Sequence, residues 1–194
     1  MKYHTLITGL LVLTFGLFAN CGTGSAEAGV IENMIKWSVQ AEVKVSSGWV
    51  NVSYTEFFPS SGDYFVVNVT DGRGYLMNGI TRFYTDFPVM TGTPGHSTPC
   101  KDWVVLEKNI QSNRIVFSKS GEFFRLFADG TKRTSYGIHG YAYFDKEIEN
   151  GRKFLSLGCI MVADDVLDII EESYIANGNS LKVSTRETMD PTVF

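Results

Sequence analysis

The chain has 194 residues, of which 44% are hydrophobic and 20% charged, with only 5 prolines. That composition suits one packed domain plus a short processed segment and excludes general disorder. Lys and Arg number 17 against 21 Asp and Glu, a net charge of −4, so no basic surplus exists to neutralise phosphates and a dedicated nucleic-acid binder is excluded.

Lys2 and His4 open the chain, and Leu6 to Ala19 form an apolar run. A spanning helix needs ~20 apolar residues, whereas the core of an export signal needs only ~7–15. Ala26-Glu27-Ala28 supplies a small-x-small cleavage site. Residues 1–28 are therefore expected to be a signal peptide, cleaved after Ala28, and the mature protein to lie in the periplasm or cell envelope. The lost segment carries Lys2 and Glu27, so the mature charge stays −4. An alternative reads Leu17-Phe18-Ala19-Asn20-Cys21 as lipobox-like, with Cys21 lipidated as an anchor. Asn20 then stands where Gly, Ala or Ser is usual. No later segment is long and apolar enough to span a membrane, so no transmembrane span is expected in the mature protein.

From Trp37 to Val45, apolar and polar residues alternate with the period of a strand. Val50, Val52 and Tyr54 resume that alternation. Ser60-Ser61-Gly62-Asp63 is turn chemistry, Tyr64 to Val69 is rich in strand formers, and Asp71-Gly72 signals a tight turn before Tyr75. Residues 91–102 form a Gly/Pro/Thr-rich loop of the kind that borders sites. Trp103 to Leu106, Arg114 to Ser118 and Glu122 to Phe127 read as three further strands, the last broken by Asp129-Gly130. The period changes after Cys159. Val166, Ile170 and Tyr174 follow helical spacing, with Asp164 and Asp165 at the positive end of the helix and Gly178 suited to its cap. Leu181 to Ser184 reads as a closing strand and 187–194 as a frayed tail. The expectation is a mainly β, sandwich-like or barrel-like domain with one helix near the carboxyl end.

Three cysteines, Cys21, Cys100 and Cys159, are too few for a disulfide scaffold. With only His4, His96 and His139 beside them, a closed zinc site is not expected, nor is any cofactor. Cys159 follows Gly158 just ahead of the helix. A thiolate there is expected to feel the positive helix end and to have a lowered pKa. His139, between glycines in Tyr136-Gly137-Ile138-His139-Gly140, is placed to serve as its base. Blander readings stand beside this one: Cys159 as a small buried apolar residue, His139 as a turn residue, or a Cys100–Cys159 disulfide. His96 in the 91–102 loop reads as solvated surface within reach of a substrate. Tyr141 and Tyr143 read as strand aromatics or as the lining of a groove.

Gly137-Ile138-His139-Gly140, a gap, and then Ser156-Leu157-Gly158-Cys159-Ile160 resembles the signature of the L,D-transpeptidases, the YkuD-type catalytic domain. Thr91-Gly92, Thr98-Pro99, the Asp165 helix and the Gly178–Val183 segment resemble further parts of that domain. The resemblance places the catalytic domain at 65–186, with 29–64 as an N-terminal strand extension. It implies a cysteine acyltransferase acting on peptidoglycan stem peptides. Cys159 would be the nucleophile and His139 the general base, and the backbone carbonyl of Gly140 would orient the imidazole. Ser156, Gly158 and the Cys159 N–H would shape the oxyanion region, and Tyr141 would line the substrate groove. Thiolate attack would expel the terminal D-Ala and leave a thioester. A second stem would resolve it into a cross-link, or water would, as in an L,D-carboxypeptidase. A catalytically impaired envelope protein that binds cell wall is the remaining alternative. Three residues depart from the family pattern. Leu157 stands in place of a His, Met161 in place of a polar residue, and Lys101 in place of a Gly. A papain-like protease is disfavoured, because there the Cys precedes the His.

Overall fold

The structure, a computed structural model, describes residues 49–189. The expected signal segment, the Cys21 anchor and the Trp37–Val45 strand lie outside the described residues, as do the last residues of the tail.

Period-2 sequence produces period-2 burial. In Phe83–Pro88 every first residue is buried and every second half-buried, and Leu181–Arg186 alternates likewise, with Lys182 exposed. In chain order the strands are β1 (Val50–Asn51), β2 (Tyr64–Asn68), β3 (Arg73–Met77), β4 (Phe83–Pro88), β5 (Thr91–Gly92) and β6 (Asp102–Ile110). They continue as β7 (Glu122–Ala128), β8 (Lys132–Gly140), β9 (Phe154–Ser156), β10 (Ile160–Val162) and β11 (Leu181–Arg186). Nine of them form one mixed sheet in the order β1-β4-β3-β2-β11-β6-β7-β8-β10, and β5 pairs with β9. The domain is mainly β, as expected. Among the described residues two α-helices accompany the strands, α1 (Phe144–Glu149) and α2 (Asp164–Ala176).

α2 buries Val166, Leu167, Ile170 and Tyr174. They join Phe65, Leu76, Phe124, Leu126 and Ile138 of the strands in the main core cluster. Burying each such side chain contributes about 1.5–3 kcal/mol. Asn177 caps the far end of α2. Its amide donates to the Ser173 carbonyl at 2.8 Å, and its Oδ1 accepts from the Gly62 amide at 2.6 Å. Asp63 in the same turn is buried. It accepts from the Ser60 amide and hydroxyl, the Gly79 amide and the Ser173 hydroxyl, all at 2.7–2.9 Å. Asp63→Ala leaves those donors without a partner. Chemical denaturation should show a loss of about 3 kcal/mol, and an unchanged midpoint would count against this network as the tie between α2 and the sheet.

Three expectations fail locally. Val52 and Tyr54 do not continue a strand: a one-turn 3₁₀ helix spans Tyr54–Glu56, held by reciprocal Ser53 and Glu56 bonds. Arg114 to Ser118 is a turn segment, although Ile115, Val116 and Phe117 are strand formers. Asn113 Oδ1 accepts the Ile115 and Val116 amides at 3.1 Å, and Ser118 takes a left-handed φ of 59°. A local side-chain bond outweighs propensity there. The single expected helix is joined by α1, whose six residues bury only Phe144 and are too short to display a period.

Candidate active site

β10 runs parallel to β8, pairing Ile160 with Ile138 and Met161 with His139. Cys159 therefore enters beside Gly137, whose backbone hydrogen-bonds the sulfur. Cys159 and His139 line one cavity of about 580 Å³, along with Phe117, Phe123, Arg125 and Tyr141. A cavity of about 700 Å³ over β2, β11 and β6, lined by Tyr64, Trp103 and Lys182, holds neither nucleophile nor imidazole.

His139 is 3% exposed. Its Nδ1 lies 2.7 Å from the Gly140 carbonyl oxygen. A carbonyl can only accept, so Nδ1 carries the proton and Nε2 holds the lone pair. Two rings fix the imidazole plane. Phe117 tilts against it at 4.9 Å between centroids, and Phe123 stacks at 5.8 Å. Burial pushes the His139 pKa down, against the backbone of Gly140 and Val116, which favours the charged ring.

The Cys159 turn is stapled from within. Ser156 Oγ accepts the Gly158 amide at 3.1 Å and donates to the Cys159 carbonyl at 2.6 Å. Gly158 has a φ of +109°, and a Cβ there would sit 2.4 Å from the Tyr136 ring. Only glycine suits that combination. β5 braces the same turn: the Thr93 amide donates to the Ser156 carbonyl at 3.0 Å. The 91–102 loop thus begins by supporting the residues before Cys159. His96, further along it, is exposed and not part of the cavity lining.

The expected lowering of the Cys159 pKa is overturned. In the chain β10 stands between Cys159 and α2, which begins at Asp164. Burial pushes the Cys159 thiol up, and the Gly137 backbone and Arg125 offset this only in part. Both shifts favour the neutral forms, the thiol of Cys159 and the uncharged imidazole of His139. Thiolate carries alkylation, so the iodoacetamide rate at Cys159 should keep climbing above about pH 8.5. A plateau near neutrality would reveal a preformed ion pair instead. Cys100 and Cys159 are both free thiols, so no bridge joins them.

Leu157 is 74% exposed at the cavity rim, whereas Met161 is buried with Met90 and Phe144. Tyr141 lines the cavity but lies beyond the end of β8. Tyr143, also past the strand, is exposed and immediately precedes α1. Phe117, Phe123 and Arg125 are site residues that motif reading does not find. The Phe123/Arg125 alternation on β7 was the only available signal.

No family model matches the chain, and no curated protein matches it. Solved structures do resemble it. Bd1075 of Bdellovibrio bacteriovorus is 16% identical, with 74% of this chain and 53% of that chain covered and a TM-score of 0.48. The helical cell shape determining protein Pgp2 of Campylobacter jejuni, in a mutant form, is 15% identical over 69% of this chain and 50% of that chain, with a TM-score of 0.49. An L,D-transpeptidase of Enterococcus faecium, also a mutant, is 14% identical over 66% and 50%, with a TM-score of 0.46. The chain spans about half the length of each. These are likenesses of fold alone, so what the cavity can do has to come from its own residues. Among the described residues no helix is long and apolar enough to cross a membrane.

Proposed function

We propose that the protein is an exported, cysteine-dependent L,D-transpeptidase acting on peptidoglycan stem peptides. One observation carries the reading. Cys159 and His139 line the same cavity, with the imidazole held by Gly140 in the tautomer that leaves Nε2 as a base. Nε2 takes the thiol proton as sulfur attacks the carbonyl carbon between the third residue and the terminal D-Ala. The C–N bond then breaks. The D-Ala amine leaves with the proton returned by the imidazolium, and a thioester on Cys159 remains. Ser156 spends its hydroxyl inside the turn and takes the Gly158 amide. Ser156 and Gly158 are thus positioning residues, and the Cys159 N–H is the oxyanion donor. An amine of a second stem resolves the thioester into a cross-link. Nothing in this sequence of steps calls for a metal or cofactor.

The test is product analysis after incubation with tetrapeptide stems. Dimers linked through third residues are expected. Stems trimmed to tripeptides without dimers would assign the same site to an L,D-carboxypeptidase, in which water replaces the acceptor. Binding to cell wall with neither product would leave an envelope-binding protein.

A further inference from the structure

Arg125 lies beside the nucleophile, and the steps above do not use it. It comes from β7, on the face opposite Phe124 and Leu126, and its side chain is only 14% exposed. Its guanidinium carbon lies 5.0 Å from the centroid of the Phe123 ring, the ring that stacks on His139. Nη1 donates to the Thr134 carbonyl at 2.8 Å, while Nε is buried with no hydrogen bond.

The neighbouring carboxylate does not satisfy it. Glu107 lies 3.7 Å from Arg125 Nε, beyond hydrogen-bond reach. Arg133 already holds both Glu107 oxygens at 3.0 Å, and Asn109 donates to one of them at 2.7 Å. Two guanidinium groups therefore share one carboxylate, which leaves a surplus positive charge. Arg125 also lines the cavity, and among the described residues it is the only charged one in that lining. A half-satisfied cation in a mostly apolar cavity is costly unless an anion completes it.

We propose that Arg125 is the anchor for a carboxylate of the substrate, setting which peptide enters and how it lies against Cys159. For its substrate the proposal rests on the transpeptidase reading. A stem tetrapeptide whose third residue is a diamino diacid offers three carboxylates: the α-carboxylate of the leaving residue, the side-chain carboxylate of the third residue and the α-carboxylate of the γ-linked glutamate. A planar guanidinium fork suits any of them.

The first test needs no peptide. Alkylation of Cys159, followed by peptide mass mapping, is compared for anionic iodoacetate and neutral iodoacetamide. Wild type should show an iodoacetate-to-iodoacetamide rate ratio above that of N-acetylcysteine. Arg125→Gln should lower the ratio about tenfold, and Arg125→Lys, which keeps the charge, should retain most of it. Arg125 also acts on the Cys159 pKa, but that effect alters both rates alike and cancels in the ratio. The wild-type comparison stands even if a variant misfolds. A wild-type ratio no higher than that of N-acetylcysteine, or a ratio unchanged in folded Arg125→Gln, overturns the proposal.

The second test uses tetrapeptides amidated at each carboxylate in turn. Arg125→Gln should raise KM about tenfold with kcat little changed. That difference should vanish for the peptide whose anchored carboxylate is amidated, which identifies the source. If the difference persists with every amidated peptide, no substrate carboxylate is held by Arg125 and the proposal falls. If no peptide is turned over but the alkylation ratio still depends on Arg125, the anion site stands and the transpeptidase reading fails.

Discussion

Cys159→Ala is expected to abolish both the cross-linked and the trimmed product, a loss of at least about 1000-fold. The size follows from the chemistry. With no sulfur there is no thioester, and the remaining hydroxyls of the lining, Ser135, Tyr141 and Ser156, are far weaker nucleophiles than a cysteine sulfur. Cys100 cannot substitute, because it is exposed and does not line the cavity. The substitution should leave the fold intact. Alanine keeps the backbone path of the turn, which Ser156 secures through the Cys159 carbonyl and the Gly158 amide. A variant that folds normally and still makes dimers would remove Cys159 from the mechanism.

His139→Gln is expected to lower kcat about 100- to 10,000-fold. Glutamine can still donate a hydrogen bond to the Gly140 carbonyl, but it cannot accept and return a proton. The pH profile separates this role from a structural one. Burial holds His139 below the ordinary imidazole value and Cys159 above the ordinary thiol value. As pH falls through the His139 pKa the ring becomes protonated and loses its function as a base, so wild-type activity drops on the acid side. His139→Gln lacks that limb, and its residual rate rises with pH as thiolate forms. A variant rate within a few fold of wild type, with the acid limb retained, would assign His139 to packing between Phe117 and Phe123.

The two residues of the minimal pair were legible as His-Gly and Gly-Cys motifs, and the strands around them as period-2 runs. The geometry between them was less so. Carrying the Ala128–Lys132 register straight back along the β7–β8 hairpin would set Phe123 opposite Gly137. The irregularity between Arg125 and Phe127 sets it opposite His139 instead. No residue type marks that shift, and with it went the ring that stacks on the imidazole. Arg125 was overlooked for a related reason. A charge alternating with apolar residues on a strand reads as the solvent face, but here that face forms the wall of a cavity. The pKa of Cys159 was misjudged because three apolar residues, Ile160 to Val162, were too short a run to mark as a strand. They form β10 between Cys159 and the start of α2, and burial pushes the thiol up. Arg114 to Ser118 failed through Asn113, whose side chain folds the segment into the turn that brings Phe117 against His139.

Trapping the acyl-enzyme tests the central claim most directly. The purified protein is incubated with a stem tetrapeptide, quenched in acid, and measured by intact mass and peptide mapping. The account predicts one added tripeptide acyl group, placed on Cys159, with release of an equal amount of D-Ala. The adduct should disappear when an acceptor amine is added. D-Ala released with the acyl group on another residue, or tetrapeptide left untouched by protein whose Cys159 still reacts with iodoacetamide, would contradict it.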